Sequence, residues 1–82
     1  MGRVRSMQDI VAEILQSVQE PKTKYQVILE ARSNTRQIRN YLNVMHRSKL
    51  IRTTPDNMLV ATEKGRELLR LYRQAEKMLG GG

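Results

Sequence analysis

The stretch from residue 34 to residue 48, NTRQIRNYLNVMHRS, constrains this chain most because it predicts a helix with two chemically different faces. At 100° per residue, the apolar side chains fall within one arc of about 100°. They are Ile38, Tyr41, Leu42 and Met45. The opposite face carries two guanidinium and two carboxamide groups, from Arg36, Arg47, Asn40 and Asn43. Because such groups hydrogen-bond guanine and adenine edges in a major groove, we interpret this stretch as a candidate recognition helix.

The length of 82 residues allows one small domain. A domain of this size buries only about 60% of its unfolded surface, so it gains from a disulfide, a metal or a partner subunit. The chain has no cysteine and a single histidine, His46, which excludes disulfides and leaves no set of metal ligands. We therefore expect no cofactor and favour oligomerisation as the source of additional stability.

The net charge of +7 is concentrated in the segment that holds the candidate recognition helix. Residues 22–52 carry eight basic side chains against Glu30, a balance of +7, whereas residues 6–21 carry three acidic side chains and no basic one, a balance of −3. This distribution indicates a polyanionic partner, nucleic acid before an anionic membrane surface. A basic, solvated face without a ligand is the simpler alternative.

The sequence has no apolar run near the roughly 18 residues of a membrane span and no signal-peptide pattern. We expect a soluble, cytoplasmic protein with no membrane partner. An enzyme is not expected, because the chain lacks cysteine, a glycine-rich phosphate loop and a carboxylate pair in an apolar setting.

Two further helices are predicted before residue 34. The first begins at a cap by Ser6, continues at helical spacing through Gln19 and ends before Pro21. Thr23 and Gln26 form a capping box for a second helix of about eight residues. Residues 32–34 interrupt the apolar pattern, and residue 34 or 35 caps the third helix. The order predicts a helix-turn-helix.

After residue 48 the period changes to that of strands, over residues 50–54 and 58–62. Between them, Pro55 favours a turn, and Asn57 tolerates the left-handed conformation that closes a hairpin. Such a hairpin behind a helix-turn-helix is a wing. Its tip carries Asp56 and no lysine or arginine, so we expect the recognition helix to supply more of the binding. Thr62 is predicted to cap a fourth helix from Glu63 to Leu79.

The apolar arc of the fourth helix approaches 180°, which is wider than one small domain needs from a terminal helix. Its predicted centre is Leu68, Tyr72, Ala75 and Leu79. Its shoulders are Leu69 on one side and Leu71 with Met78 on the other. We expect part of this surface to pack on the first helix and part to contact a partner helix.

The predicted fold is mainly α with a small β-hairpin, a winged helix-turn-helix in the order helix-helix-helix-strand-strand-helix. We expect one domain over residues 1–82. It comprises a flexible basic arm at 1–5, the winged helix-turn-helix at 6–62, a dimerisation helix at 63–79 and a flexible tail at 80–82.

Three strings carry a family resemblance: Tyr41-Leu42, Lys49-Leu50-Ile51 and the run ATEKGRELLRLY at residues 61–72. They resemble archaeal winged-helix proteins, in particular the ten-kilodalton archaeal DNA-binding (chromatin) family, over about residues 7–79. The resemblance implies a homodimer through antiparallel C-terminal helices, with the third helix in the major groove of double-stranded DNA and the wing on the flanking backbone. Position 49 usually holds a glycine in that family, where it caps the third helix in a left-handed conformation.

The candidate DNA-contacting residues form two groups. The recognition helix offers Thr35, Arg36, Arg39, Asn40, Asn43 and Arg47, of which Arg39 lies on the flank and is expected to contact phosphate. The DNA backbone is expected to meet the start of the second helix and the wing. These contacts are Lys22, Thr23, Lys24, Tyr25, Arg52, Thr53, Thr54 and Asn57. We expect His46 to be a surface or boundary residue without a metal-binding or catalytic role.

Two other functions remain open from the sequence. A winged helix can be a protein-interaction module in a larger assembly, with the apolar arc of the fourth helix as its contact surface. RNA binding is less favoured, because three tyrosines and no phenylalanine or tryptophan provide few stacking surfaces for single-stranded bases.

Overall fold

The structure is a computed structural model that describes residues 7–31 and 34–80. Its elements are α1 (Met7–Ser17), α2 (Lys24–Ala31), α3 (Thr35–Arg47), β1 (Ile51–Thr53), β2 (Leu59–Ala61) and α4 (Glu63–Met78). The predicted order of three helices, a hairpin and a final helix is confirmed. The predicted arm at 1–5, the cap at Ser6, residues 32–33 of the turn and residues 81–82 of the tail lie outside the described residues.

Side-chain caps fix where α2 and α3 begin. The Thr23 hydroxyl accepts a hydrogen bond from the Gln26 amide at 3.1 Å, and the Gln26 side chain accepts one from the Thr23 amide at 3.0 Å. This reciprocal pair is the predicted capping box. At α3, the Asn34 carboxamide oxygen accepts from the Gln37 amide at 3.2 Å. Of the two predicted caps for α3, the structure uses Asn34.

The first helix is shorter than predicted, since α1 ends at Ser17 and not at Gln19. The Gln19 side-chain amide donates to the Leu15 carbonyl at 3.0 Å, in the place of its own backbone N–H. The Val18 carbonyl accepts from the Ala61 amide at 2.8 Å. The chain therefore leaves the helix at Val18 to pair with β2, a tertiary contact that local periodicity does not encode.

The end of α3 is closed by a left-handed Lys49, with φ of 63°. The Leu50 amide donates to the Met45 carbonyl at 2.8 Å, and the Lys49 amide donates to the His46 carbonyl at 3.1 Å. These two bonds form a Schellman motif, in which glycine usually holds the left-handed position. A lysine therefore adopts the left-handed conformation that the resemblance assigns to a glycine at this position.

The wing is a two-stranded antiparallel hairpin in which Ile51 pairs with Ala61 and Thr53 pairs with Leu59. Asn57 has φ of 64°, which confirms its predicted left-handed turn conformation. Each strand is one residue shorter at both ends than predicted. At the base the Leu50 amide is used by the end of α3, and at the tip the Met58 amide donates to the Thr54 hydroxyl at 3.0 Å.

A third strand segment, which no pattern in the sequence indicated, joins the wing. Lys22 and Leu59 exchange two backbone hydrogen bonds, of 2.9 and 2.7 Å, as an isolated antiparallel bridge. Because Lys22 alone forms this bridge after Pro21, there is no alternation of side chains that would predict a strand there. The bridge attaches the wing to the start of α2.

The core lies between the three first helices and the base of the wing. Its largest fully buried side chains come from four elements and the turn after α1. They are Ile14, Leu15, Val18, Val27, Ile38, Met45 and Ile51. The predicted inner face of α3 is confirmed, with Ile38, Leu42 and Met45 buried and Tyr41 half-buried against the core.

The apolar arc of α4 is divided between the core and solvent, and the part that packs inside is the expected contact with α1. Gly65 and Leu69 are buried, and Tyr72 packs against the core while its hydroxyl donates to the Asp9 carboxylate. Of the predicted centre, Tyr72 therefore faces the core, whereas Leu68, Ala75 and Leu79 face solvent. The physical reason is Gly65, whose missing side chain lets the helix backbone approach the Leu50 carbonyl and so fixes the rotation of α4.

Candidate nucleic-acid interface

The six predicted residues of the recognition helix are all exposed in the structure. They are Thr35, Arg36, Arg39, Asn40, Asn43 and Arg47. The buried face of α3 holds this surface in place, because Ile38, Leu42 and Met45 fix the rotation of the helix against the core. The exposed face carries three arginines and no carboxylate, so it presents an uncompensated positive charge to solvent.

The four predicted residues at the start of α2 divide into two pairs. Lys24 and Tyr25 are exposed, and 70% of the Tyr25 surface is accessible. Thr23 is half-buried and occupied by its capping bonds. The Lys22 ammonium group pairs with the Glu30 carboxylate at 3.1 Å. Of the four, Lys24 and Tyr25 are therefore the side chains with freedom to meet a phosphate.

Glu30 is the acidic partner of this ion pair, and its pKa is shifted by its hydrogen bonds. The Ser17 hydroxyl donates to the Glu30 carboxylate at 2.5 Å, and the Lys22 ammonium group donates to the same carboxylate. The hydrogen bond from Ser17, followed by that from Lys22, holds the pKa of Glu30 below its ordinary value. The bonds join α1, α2 and the segment between them on the exposed surface.

The predicted wing residues also have different surroundings. Arg52, Thr53 and Asn57 are exposed, whereas Thr54 is half-buried and its hydroxyl accepts the Met58 amide. Thr53 lies on the side of the hairpin that faces α3, so Arg52 lies on the other side because successive residues of a strand alternate. The tip contains Asp56, as the sequence shows.

A groove of about 610 Å³ lies between α3, the start of α2 and the wing. Its polar lining consists of Thr23, Lys24, Asn43, His46, Thr53, Asp56 and Asn57. His46 Nε2 is 3.1 Å from the Thr53 hydroxyl, a hydrogen bond that joins the recognition helix to the wing. Five of these seven residues belong to the predicted contact set, and the structure brings them together.

Sequence reasoning gave His46 no role, yet it lies in this groove. Position 46 follows Asn43 by three residues and Arg39 by seven, which places all three on one flank of a helix. That spacing was a readable signal. The sequence does not indicate that the wing faces this flank, because the direction of the wing depends on tertiary packing.

The seven residues predicted for dimerisation are split by the rotation of α4. Leu69 is 5% exposed and belongs to the core of its own chain, and Tyr72 is half-buried beside α1. The others are accessible, namely Leu68, Leu71, Ala75, Met78 and Leu79. Met78 and Leu79 are 82% and 85% exposed. An apolar surface thus remains on the outer flank of α4.

Within residues 7–31 and 34–80, no helix is both long enough and apolar enough to cross a membrane. The same part of the chain contains no group of three or more histidine, cysteine, aspartate or glutamate side chains arranged to hold a metal ion.

The helix-turn-helix with its exposed basic face on α3, the hairpin after it and the supporting α4 together define a winged-helix domain. The sequence model of the winged helix-turn-helix family matches residues 4–80, and the chain belongs to that family. No curated protein matches the chain. Winged helix-turn-helix domains as a class bind DNA and are typically not enzymes, so membership supports DNA as the partner.

Proposed function

We propose that this chain binds double-stranded DNA as a homodimer with α3 in the major groove, and that it serves as a transcription regulator or a nucleoid-associated chromatin protein. The observation that carries the proposal is the exposed face of α3, with three arginines, two asparagines and no carboxylate. The resemblance to the ten-kilodalton archaeal family supports the chromatin role and a cytoplasmic, nucleoid-associated location.

Two kinds of contact contribute differently to binding. Charged contacts to phosphate supply most of the affinity and little sequence information. Arg39, Arg47 and Lys24 are suited to this role because they are exposed cations at the edges of the surface. Arg36, with the carboxamides of Asn40 and Asn43, has the donors and acceptors that distinguish guanine and adenine.

The homodimer is supported by the outer flank of α4. Small domains gain stability from a partner, and an exposed apolar strip on a terminal helix is costly in water unless it is covered. Leu68, Leu71 and Met78 are exposed on this flank, and Leu79 follows at its end.

Titration of a labelled duplex at 50 and 200 mM salt tests DNA binding. If about six phosphates are neutralised, the affinity falls roughly a thousandfold between these concentrations. The double variant Arg36→Ala, Asn40→Ala should reduce the difference between preferred and random duplexes. Arg70→Ala on α4 is the charge-matched control, and it should retain that difference. An affinity that ignores salt contradicts the proposal.

A protein-interaction module is the second candidate, and the exposed Leu71, Met78 and Leu79 favour it. The two candidates predict different behaviour in solution. A sedimentation mass of one chain together with no DNA binding at 50 mM salt supports the module. A dimer that binds duplex DNA supports the first candidate.

A further inference from the structure

The groove between α3 and the wing contains an imidazole side chain that the proposed function leaves unused. His46 is exposed, lines the groove and shares a hydrogen bond of 3.1 Å with the Thr53 hydroxyl. It is the only histidine in the chain. Any change of imidazole charge in this protein therefore occurs at the boundary between the recognition helix and the wing.

The position of His46 on α3 aligns it with two predicted DNA contacts. Arg39, Asn43 and His46 follow each other at spacings of four and three residues, so they form one line along the flank of the helix. The wing faces this line, as the bond from His46 to Thr53 shows. A DNA strand leaving the major groove beside α3 would meet this flank before it reaches the wing.

The groove offers donors to a phosphate from each of its walls. Lys24 supplies an ammonium group from the start of α2, Asn43 a carboxamide from α3, and Thr53 a hydroxyl from the wing. A neutral imidazole has one N–H donor, whereas an imidazolium has two and a positive charge. Protonated His46 could thus keep Thr53 as one partner and direct the second N–H to a phosphate oxygen.

Asp56 and a bound phosphate favour a proton on His46, against the like charges of Lys24, Arg39 and Arg47. Asp56 is the one carboxylate that lines the groove, at the wing tip, while Lys24 is the cation from α2. On α3 itself, Arg39 shares the flank and Arg47 is the next residue. Asp56 alone would repel a phosphate, and a proton on His46 offsets that repulsion. Two anions, Asp56 and the phosphate, would then flank the imidazolium.

We propose that this groove binds a DNA backbone phosphate through His46, Lys24 and Thr53, and that His46 takes up a proton on binding. The proposal rests on the proposed DNA binding. The complex then holds more protons than its free components, so the affinity rises as the pH falls. The change is expected between pH 8 and pH 6, the range in which imidazole side chains change charge.

The test measures binding of a 20-base-pair random duplex by fluorescence anisotropy at pH 8.0 and 6.0, at equal ionic strength and two salt concentrations. The wild-type chain should bind roughly three- to tenfold more tightly at pH 6.0, with a steeper salt dependence, by about one unit of slope. In His46→Gln, which keeps a donor and an acceptor but cannot be charged, the ratio between the two pH values should fall to about one.

A matched control separates position from charge. Gln16 is exposed on α1 and lines a pocket between α1 and α4, so Gln16→His in the His46→Gln background restores a histidine without restoring the site. This variant should not regain the pH dependence. The α-amino group, which also titrates near this range, is present in every variant.

The outcomes separate the two proposals. DNA binding with no pH dependence in the wild-type chain overturns the role of His46 and leaves the proposed function intact, as does a pH dependence that survives in His46→Gln. Absence of DNA binding at both pH values contradicts the proposed function and this inference together. As a second readout, the imidazole resonances of His46 should shift when the duplex is added at pH 6.0.

Discussion

Gly65 lies directly against the carbonyl oxygen of Leu50, and a Cβ atom at position 65 would stand 2.1 Å from that oxygen. Two hydrogen bonds flank this backbone contact. The Thr62 hydroxyl donates to the Lys49 carbonyl at 2.6 Å, and the Lys64 ammonium group donates to the Ser48 carbonyl at 2.9 Å. The start of α4 is thereby attached to the end of α3, so the helix proposed to join two copies is fixed to the helix proposed to read DNA.

Gly65→Ala should destabilise the fold by about 2 kcal/mol or more, because the new methyl group meets backbone that cannot rotate away. Thermal or urea unfolding followed by circular dichroism measures the effect. Gln74→Ala, on an exposed position of the same helix, should stay within about 0.5 kcal/mol of the wild-type value. A Gly65→Ala variant as stable as the wild-type chain would show that α4 does not approach Leu50 this closely.

Lys49→Gly should stabilise the protein by about 0.5 to 1 kcal/mol, because glycine adopts the left-handed conformation of position 49 without steric cost. Lys49→Ala is the matched control, since it removes the same charge but keeps a Cβ atom. In urea unfolding, the free energy of unfolding of Lys49→Gly should be higher than that of both Lys49→Ala and the wild-type chain. Equal stability of the two variants would attribute any gain to charge and not to conformation.

Thr62→Ala should cost about 1 to 2 kcal/mol, because it removes both the cap of α4 and the bond to the Lys49 carbonyl. Thr62→Ser keeps the hydroxyl and should recover most of the loss. Denaturant unfolding compares the three proteins. The interpretation is wrong if serine is as destabilising as alanine, since the methyl group would then matter more than the hydroxyl.

The pKa of Glu30 should be measurable below its ordinary value by NMR titration, and Ser17→Ala should raise it toward that value. The sign follows from the lowered pKa in the folded state. The ion pair and hydrogen bond contribute stability above the ordinary titration range of glutamate, and this contribution is lost as the pH falls through the lowered pKa. Because Glu30 is exposed, the contribution is small. Gln16→Ala on α1 is the control and should leave the Glu30 titration unchanged.

Leu71→Glu with Met78→Glu should shift the protein from dimer to monomer without unfolding it, because both side chains are exposed in the single chain. Sedimentation velocity measures the mass, and circular dichroism reports the fold. Leu69→Ala should instead cost about 2 to 5 kcal/mol of folding free energy, because this side chain is buried in the core of its own chain. A charged double variant that remains dimeric would place the dimer contact elsewhere.

The elements with strong local signals could be predicted from the sequence. The capping box of Thr23, the turn residue Asn57 and the apolar face of α3 each depend on neighbours within four residues, and the structure has them as predicted. The exposed face of α3 followed for the same reason, because burial of one helix face determines which residues remain outside.

Features that depend on contacts between distant segments could not be predicted. The rotation of α4 is set by the approach of Gly65 to Leu50, and the apolar arc alone does not show that Leu69 is buried while Leu68 is exposed. The early end of α1 follows from pairing of Val18 with Ala61. His46 becomes a candidate only because the wing faces its flank of α3. The sequence of a helix does not predict which element packs opposite that flank.

The bridge between Lys22 and Leu59 has a consequence for how a duplex could be selected. Two backbone hydrogen bonds fix the distance from the start of α2 to the wing. The separation between Lys24 and Thr53 is therefore held at one value. A duplex that contacts both must match this opening or be deformed to fit it. The cost of that deformation depends on sequence, through groove width and stiffness. Discrimination between DNA sequences can then arise at base pairs that no side chain touches.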